Sequence, residues 1–222
     1  MIRVLIADDH AIVRKGLKQL LLEEYPSAII EEAGDAEDLI KRTFSKEWDV
    51  VICDLSMPGR SGLDALKQIK QAFPELPVLI MSMYPAEQYA FRVLKAGAYG
   101  YLSKDSIHNE LIKAVQTVLL GKKFITFSIA EKLVEVIDSD SERPPHGLLS
   151  DREFDVFKLL ASGKTVSEIA DKFSLSANTV STYRSRILEK MYMRTNAELT
   201  RYALEKRLIE TLIAIQLCSV VI

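Results

Sequence analysis

The chain has only two cysteines in 222 residues, Cys53 and Cys218, and they make neither a metal-ligand pattern nor a disulfide framework. Cys53 sits inside an apolar run beside Asp54 and is expected to be a small buried hydrophobe. Excess basic charge is also missing: a formal net charge of −2 excludes a uniformly basic coat for nucleic acid. Apolar runs of membrane-spanning length are absent. The longest candidate, the tail from Thr211 to Ile222, has 12 residues, against the roughly 18 that a span requires. No charged region followed by a long apolar core precedes the first apolar run, so a cytoplasmic protein without a membrane partner is expected. Internal repeats and low-complexity tracts are lacking too.

What is present is a hydrophobic content of 48%, ample for packed cores and too high for disorder. The length fits one large domain or two small ones. Charge is unevenly shared: from His146 onward there are 11 Lys+Arg against 9 Asp+Glu, and before it 18 against 22. An acidic first part and a mildly basic second part point to separate tasks.

Three short apolar runs end on charged side chains. Ile2–Ala7 stops at Asp8-Asp9, Val50–Cys53 stops at Asp54, and Tyr99–Leu102 is followed by Ser103-Lys104. Such runs read as buried parallel strands, and in such sheets ligands bind at the carboxyl ends. Two further strands, over 28–32 and 77–83, and helical patterns over 11–22, 63–73, 86–96 and 106–120, with an acidic helix start at 35–37, complete an alternating series. The expected fold is an α/β, doubly wound, five-stranded parallel sheet. In the first helix Ile12, Val13, Leu17, Leu20 and Leu21 are assigned to one apolar side. Residues 128–137 read as a further helix, and the polar, Pro-containing stretch 138–147 as a linker.

Gathering Asp8, Asp9 and Asp54 is costly without a cation, since two like charges about 4 Å apart repel by about 4 kcal/mol at an effective dielectric of about 20. An oxygen-only site with few ligands suits Mg2+. Lys104 adds a compact positive charge for a phosphate oxygen, and Asp54 becomes a candidate carboxylate nucleophile that forms an acyl phosphate. Taken singly, each acid reads as a solvated strand end or a helix cap; their coincidence at matching strand ends argues for a shared site.

This region, residues 1–121, resembles the receiver domain of two-component response regulators (flavodoxin-like). The resemblance is carried by Asp8-Asp9, Asp54-Leu-Ser-Met-Pro-Gly59, Ser82 and Lys104. It implies that Asp54 accepts a phosphoryl group from a sensor histidine kinase. It implies that Asp8, Asp9, Asp54 and the Ser56 backbone carbonyl hold Mg2+, and that Lys104 contacts the phosphate. Ser82 would swing its hydroxyl onto the phosphoryl group, and Tyr101 would follow inward as a reporter of the switch. Ser82 stands where Thr is frequent, and Met83 where a small residue is usual, which would slow phosphoryl access.

Beyond the linker the pattern is wholly helical, over 151–162, 166–173, 177–191 and from 197 to 206 or beyond. Ser150 with Glu153 makes a capping box, Ser176 is a further N-cap, and Gly163 reads as a helix C-cap. Ser162-Gly163-Lys164-Thr165 imitates the end of a P-loop, but the position that must be Gly is Lys158. Residues 166–180 read as helix, short turn, helix. On the second of these helices Val180, Tyr183, Ile187 and Met191 point inward, and Ser181, Thr182, Ser185, Arg186 and Glu189 outward, with Arg184 on the flank. A helix-turn-helix lays such a face in the major groove of double-stranded DNA.

From Leu148-Leu-Ser-Asp-Arg-Glu153 through Thr179-Val180 and Arg184 to Ala197-Glu198-Leu199, this part resembles a LuxR-type DNA-binding domain, and the whole chain the NarL/FixJ group of regulators. Asn178, Thr179, Ser181, Thr182, Arg184, Ser185 and Arg186 are the expected DNA contacts. Ser181 replaces a frequent Lys and Tyr183 a common His, so base preference does not carry over. The expected organisation is a receiver over 1–121, a connecting helix and linker over 122–147, a helix-turn-helix domain over 148–211, and an apolar tail over 212–222. One such module buries only about 600–1,000 Å² on DNA, so phosphorylation is expected to act through dimerisation or through release of a masked recognition helix, with a homodimer the favoured expectation. The faces near Arg14–Leu22 and Asn109–Leu120, with the last helix as a second surface, are its candidate contacts. The competing classes are an acyl-phosphate hydrolase, disfavoured because Ser56 stands where a second Asp would serve as general acid, and a regulator governed by a ligand or partner without phosphorylation.

Overall fold

The computed structural model describes residues 1–84, 86–127, 129–131, 144–206 and 208–209. The chain divides into two compact units, Met1–Asp140 and Ser141–Ile222.

The first unit is built on five parallel strands, β1 (Arg3–Ala7), β2 (Ile29–Ala33), β3 (Val50–Asp54), β4 (Val78–Ser82) and β5 (Gly100–Ser103), in the order β2-β1-β3-β4-β5. Strands β3 and β4 are buried along their whole length, which is why they read as unbroken apolar runs instead of alternating ones. The second strand, expected over 28–32, lies one residue later, and the third takes in Asp54, which the sequence placed just past its end. The Asp49 carboxylate, just before β3, accepts from the Arg3 backbone N–H at 2.7 Å, and the ladder continues until Asp54 pairs with Met81.

Helices α1 (Ala11–Glu24), α2 (Ala36–Ser45), α3 (Gly62–Ala72), α4 (Ala86–Lys95) and α5 (Ile107–Leu119) connect and cover the strands. Leu17 and Leu21 of α1 join Leu111, Val115 and Val118 of α5 over Val4, Ile6, Val50 and Ile52. Leu5, Val51 and Ile80 alternate with these along the strands and so face the opposite side, where α2 and α3 pack on each other. Ile12 does not belong to the buried side: it is 78% exposed, because one residue turns a helix by about 100° and Val13 already occupies the inward position. Asp35 caps α2 by accepting from the N–H groups of Glu37 and Asp38 at 2.9 and 2.8 Å, and Ser61 caps α3 from the Asp64 N–H.

Residues just past α5, assigned to a connecting segment, belong to this core. The Phe124 N–H donates to the Tyr99 carbonyl at 2.7 Å, its backbone bridges to Gly100, and its ring is buried. The helix expected over 128–137 lies outside the described residues except at 129–131, which are helical.

The second unit opens with a 3-10 turn, Pro145–Leu148, followed by α6 (Asp151–Ala161), α7 (Val166–Phe173), α8 (Ala177–Lys190) and α9 (Asn196–Glu205). His146 and Gly147, read as linker, are structured: His146 Nδ1 lies 2.7 Å from the Tyr202 hydroxyl on α9. The core is formed by Phe154, Phe157, Ile169, Val180, Ile187 and Leu199, which the helical spacing brings to one centre. Capping boxes start α6 (Ser150/Glu153) and α7 (Thr165/Glu168), and Ser176 caps α8. Between α7 and α8, Ser174 takes the left-handed conformation (φ 53°), and the Leu175 N–H returns to the Ala170 carbonyl at 2.8 Å. This closes α7 sharply and lets α8 leave across it. Gly163 ends α6 with a positive φ of 83°, as a helix C-cap. The apolar tail 212–222 lies outside the described residues.

Two consequences are measurable. Gly62 opens α3 against the end of β3: a Cβ there would lie 2.0 Å from the Asp54 carbonyl oxygen and 3.0 Å from Cys53 Sγ. Because the obstacle is backbone, Gly62→Ala is expected to lower first-unit stability by about 1–3 kcal/mol in urea unfolding, with the end of β3 displaced.

Glu153 is buried, accepts from the Ser150 N–H at 2.8 Å and pairs with Lys190 Nζ at 2.6 Å. Burial alone would raise its carboxyl, but Lys190 and the Ser150 amide and hydroxyl outweigh burial and hold it below its ordinary value of 4.5. A carboxyl lowered on folding stabilises fully above its unfolded pKa and loses that contribution as pH falls through the lower folded value. Urea midpoints of the second unit should therefore drop below about pH 4.5 in the wild type, and drop less in Glu153→Gln.

Candidate functional site

The strand order reverses between β1 and β3: the connection from β1 leads outward to β2, and that from β3 leads the other way to β4 and β5. A crevice opens at the carboxyl ends of strands at such a switch point. Asp8 follows β1 directly, Asp54 ends β3, Ser82 ends β4, and Lys104 follows β5. The charged strand ends are therefore brought to one rim.

Asp8 is fully buried and Asp54 is 2% exposed. Lys104 Nζ lies 2.7 Å from Asp8 Oδ2 and 3.1 Å from Asp54 Oδ2, so one ammonium bridges two buried carboxylates. Burial is the largest influence on Asp54 and raises its carboxyl above the ordinary range, aided by Asp8; Lys104 and the Ser56 backbone act in the opposite direction without cancelling it. Burial also disfavours the Lys104 ammonium, yet the two carboxylates together outweigh burial and raise its pKa. Next to them, the Cys53 thiol is pushed well above its ordinary value by burial and by both carboxylates, which keeps it neutral.

Asp8 is oriented from three sides. Its Oδ1 accepts from the His10 N–H at 2.8 Å, and its backbone carbonyl accepts from Arg14 Nη1 at 2.7 Å. Its Oδ2 is ion-paired with Lys104 Nζ at 2.7 Å. Asp9 is more open, with its side chain 29% exposed, and His10 Nδ1 lies 2.8 Å from Asp9 Oδ1 and 3.3 Å from Asp8 Oδ1. Among the described residues, Asp8, Asp9 and His10 are the set whose ligand atoms all lie within 4.8 Å of one another; Asp54 joins them through Lys104. A buried carboxylate beside a second, more open acid is an oxygen donor set that fits a small hard cation. His10 has no place in the sequence reading, because a lone histidine after an acidic pair carries no spacing signal.

Ser82 is buried and its Oγ accepts from the Tyr84 N–H at 3.0 Å. Tyr101 is already inward, 1% exposed, with its hydroxyl donating to the Tyr84 carbonyl at 2.5 Å. The two expected switch residues thus hold the two sides of one residue in the β4–α4 loop. Met83, between them, is 64% exposed.

In the second unit Asn178, Ser181, Thr182, Ser185 and Arg186 lie exposed on α8, while Thr179 and Arg184 are partly covered. Arg184 Nε donates to Asn196 Oδ1 at 2.8 Å, and Thr179 Oγ1 is 2.8 Å from Ser176 Oγ, so both are occupied within the fold. The hydroxyls of Thr182 and Ser185 donate to carbonyls one turn back, those of Asn178 and Ser181, which leaves their oxygens as acceptors. Asn178 and Arg186 remain as the exposed side chains with several donors. No helix of the described residues is long and apolar enough to cross a membrane.

Comparison with known proteins agrees with both halves. The family model described as response regulator receiver domain matches residues 4–116, and that described as bacterial regulatory proteins, luxR family, matches residues 147–203. The chain is 36% identical over 215 residues to the oxygen regulatory protein NreC of Staphylococcus carnosus, covering 94% of this chain and 99% of that protein. Among solved structures, the RcsB response regulator of Salmonella typhimurium superposes with a TM-score of 0.66 at 29% identity, over 90% of this chain and 96% of that one. RcsB from Salmonella enterica serovar Typhimurium, bound to a promoter in the presence of the phosphomimetic BeF3−, gives 0.62 at 28%, over 90% and 97%. Similarity that takes in both an acidic receiver and a luxR-family output unit, and covers 99% of one curated regulator, places this chain in the NarL/FixJ group of two-component response regulators, phosphorylation-dependent DNA-binding transcription regulators and not enzymes.

Proposed function

We propose that Asp54 is the phosphoacceptor, that Asp8, Asp9, Asp54 and the Ser56 backbone carbonyl hold Mg2+, and that a sensor histidine kinase is the donor, in the cytoplasm. The observation that carries this reading is the Lys104 ammonium seated between Asp8 and Asp54. An Asp54 carboxylate oxygen attacks the phosphorus of the donor phosphohistidine; the new O–P bond makes an acyl phosphate as the P–N bond breaks, and the imidazole leaves with the electron pair. The cation, when bound, supplies charge neutralisation for the incoming phosphoryl oxygens. Lys104 turns from the Asp54 oxygen to a phosphoryl oxygen while keeping its contact with Asp8, which limits the side-chain reordering needed. Ser82 donates its hydroxyl proton to another phosphoryl oxygen.

Because Tyr84 is bonded to Ser82 through its N–H and to Tyr101 through its carbonyl, a movement of Ser82 is transmitted to the β4–α4 loop and to Tyr101. The phosphorylated receiver then favours a homodimer through the Arg14–Leu22 and Asn109–Leu120 faces. Two α8 helices, one from each protomer, read two half-sites of double-stranded promoter DNA. Arg186, exposed and without an ion pair among the described residues, together with Asn178, supplies the principal donors to bases or phosphates; Ser181, Thr182 and Ser185 accept, and Thr179 and Arg184 brace the helix.

Intact mass after incubation with a small acyl-phosphate donor and Mg2+ tests the first half. One added phosphoryl group is expected in wild type and none in Asp54→Asn, with the modified wild type sedimenting as a dimer; a gain in both proteins would locate the acceptor elsewhere. For the output unit, Arg186→Ala should weaken specific DNA binding by about 1–3 kcal/mol, roughly 5- to 150-fold. Weakening confined to the specific site assigns Arg186 to a base, whereas uniform weakening with a shallower salt dependence assigns it to a phosphate.

A further inference from the structure

Asp8 stands one residue beyond β1, where the strand ladder is giving out: its N–H reaches the Ala33 carbonyl only at 3.3 Å. Its own carbonyl is held by a side chain from α1, Arg14, whose Nη1 donates to it at 2.7 Å. We propose that Arg14 is the positioning residue of the cation site, fixing the Asp8 main chain so that its carboxylate is presented to Mg2+ in one place. This inference rests on the cation site proposed above.

The guanidinium is fixed at two points. Besides the Asp8 carbonyl, its Nε donates to Glu32 Oε2 at 3.2 Å, and Glu32 sits on β2 opposite Ile6 of β1. Arg14 therefore spans from the middle of one strand to the end of its neighbour, which needs the planar fork of an arginine and not the point charge of a lysine. Its side chain is 18% exposed, so both bonds are largely shielded from water. Asp8 and Asp54 are buried and repel each other, and a main chain free to turn at Asp8 would relieve that repulsion by parting them. The carboxylate contacts of Asp8, with the His10 N–H and with Lys104, hold only while the backbone beneath them stays in place. The charge of Arg14 is offset by Glu32 on the same guanidinium, and Lys18 Nζ stands 3.5 Å from the other Glu32 oxygen. Loss of Arg14 thus removes an orienting contact more than it alters the potential at the rim. Groups that orient a metal-binding side chain without touching the ion commonly govern its affinity.

The test is calorimetric titration of the unphosphorylated full-length protein with Mg2+, for wild type, Arg14→Ala, Arg14→Lys, Glu32→Gln and Lys18→Ala. Arg14→Ala should weaken Mg2+ binding by about 10- to 100-fold. Arg14→Lys, which can reach the carbonyl or Glu32 but not both, should recover part of that loss, and Glu32→Gln should lose affinity in the same direction but less. Lys18→Ala shares the helix face and the Glu32 partner without touching Asp8, so it should stay within about threefold of wild type. In phosphorylation by a small acyl-phosphate donor, the Mg2+ concentration for half-maximal rate should rise with the dissociation constant, while the rate at saturating Mg2+ falls less than about threefold. A purely structural role would lower the urea midpoint and leave Mg2+ affinity unchanged. Unchanged or tighter Mg2+ binding in folded Arg14→Ala, or an equal loss in Lys18→Ala, overturns the positioning role while the cation site stands. If Arg14→Ala does not fold, wild-type affinity in both Arg14→Lys and Glu32→Gln overturns it equally. A wild type that binds no Mg2+ overturns this inference and the cation site together.

Discussion

One ammonium between two buried carboxylates is the constraint on which the first unit turns. Asp8 and Asp54 have almost no contact with water, and two such charges about 4 Å apart at an effective dielectric of about 20 repel by about 4 kcal/mol. Lys104 offsets this by standing within 3.1 Å of both. Burial nevertheless keeps the Asp54 carboxyl above its ordinary range against the opposing pull of Lys104. A rim of this charge suits the cation proposed above, which would help to neutralise incoming phosphoryl oxygens.

The rest of the first unit holds those three groups in place. Parallel strands end on one side of the sheet, so residues far apart in sequence meet at one rim, and the reversal of strand order opens the gap they line. Close approach of α3 at Gly62 fixes the carbonyl of Asp54, and α5 returns over the core to carry Phe124 against β5. The apolar strands thereby set distances that side-chain flexibility alone would not keep.

The fold was legible where burial is two-sided. Runs such as Val50–Cys53 can only be interior, and the charged residues that end them stand out for that reason. The Ser150/Glu153 capping box and the Gly163 helix end were equally readable, because each depends on chemistry within a few residues. What stayed hidden depends on distant partners. Ile12 was assigned inward on apolarity although a helix of that width buries Val13 and Leu17 instead. Phe124 and His146 sit in stretches that look like connections, and only their partners, Tyr99 with Gly100 in one case and Tyr202 in the other, show them to be structural. On α8 the helical wheel separated exposed from buried positions correctly, but it could not show that Arg184 is tied to Asn196 and Thr179 to Ser176. At the acidic rim the same limit applies: Asp8, Asp9, Asp54 and Lys104 were conspicuous as strand ends, while the closeness of His10 to both acids shows only in the interatomic distances.

The two units also differ in how they meet charge, and that difference bears on regulation. The receiver concentrates negative charge in a buried site, so one added phosphoryl group changes a local balance that is already strained. The helix-turn-helix unit spreads mostly neutral donors and acceptors over α8, with few free cations, so a single copy has modest purchase on a polyanion. In the homodimer proposed above, joining two copies strengthens binding without any new contact on either helix, because the second half-site is then bound at high effective concentration. A receiver switch that acts on pairing then makes phosphorylation and DNA occupancy rise together.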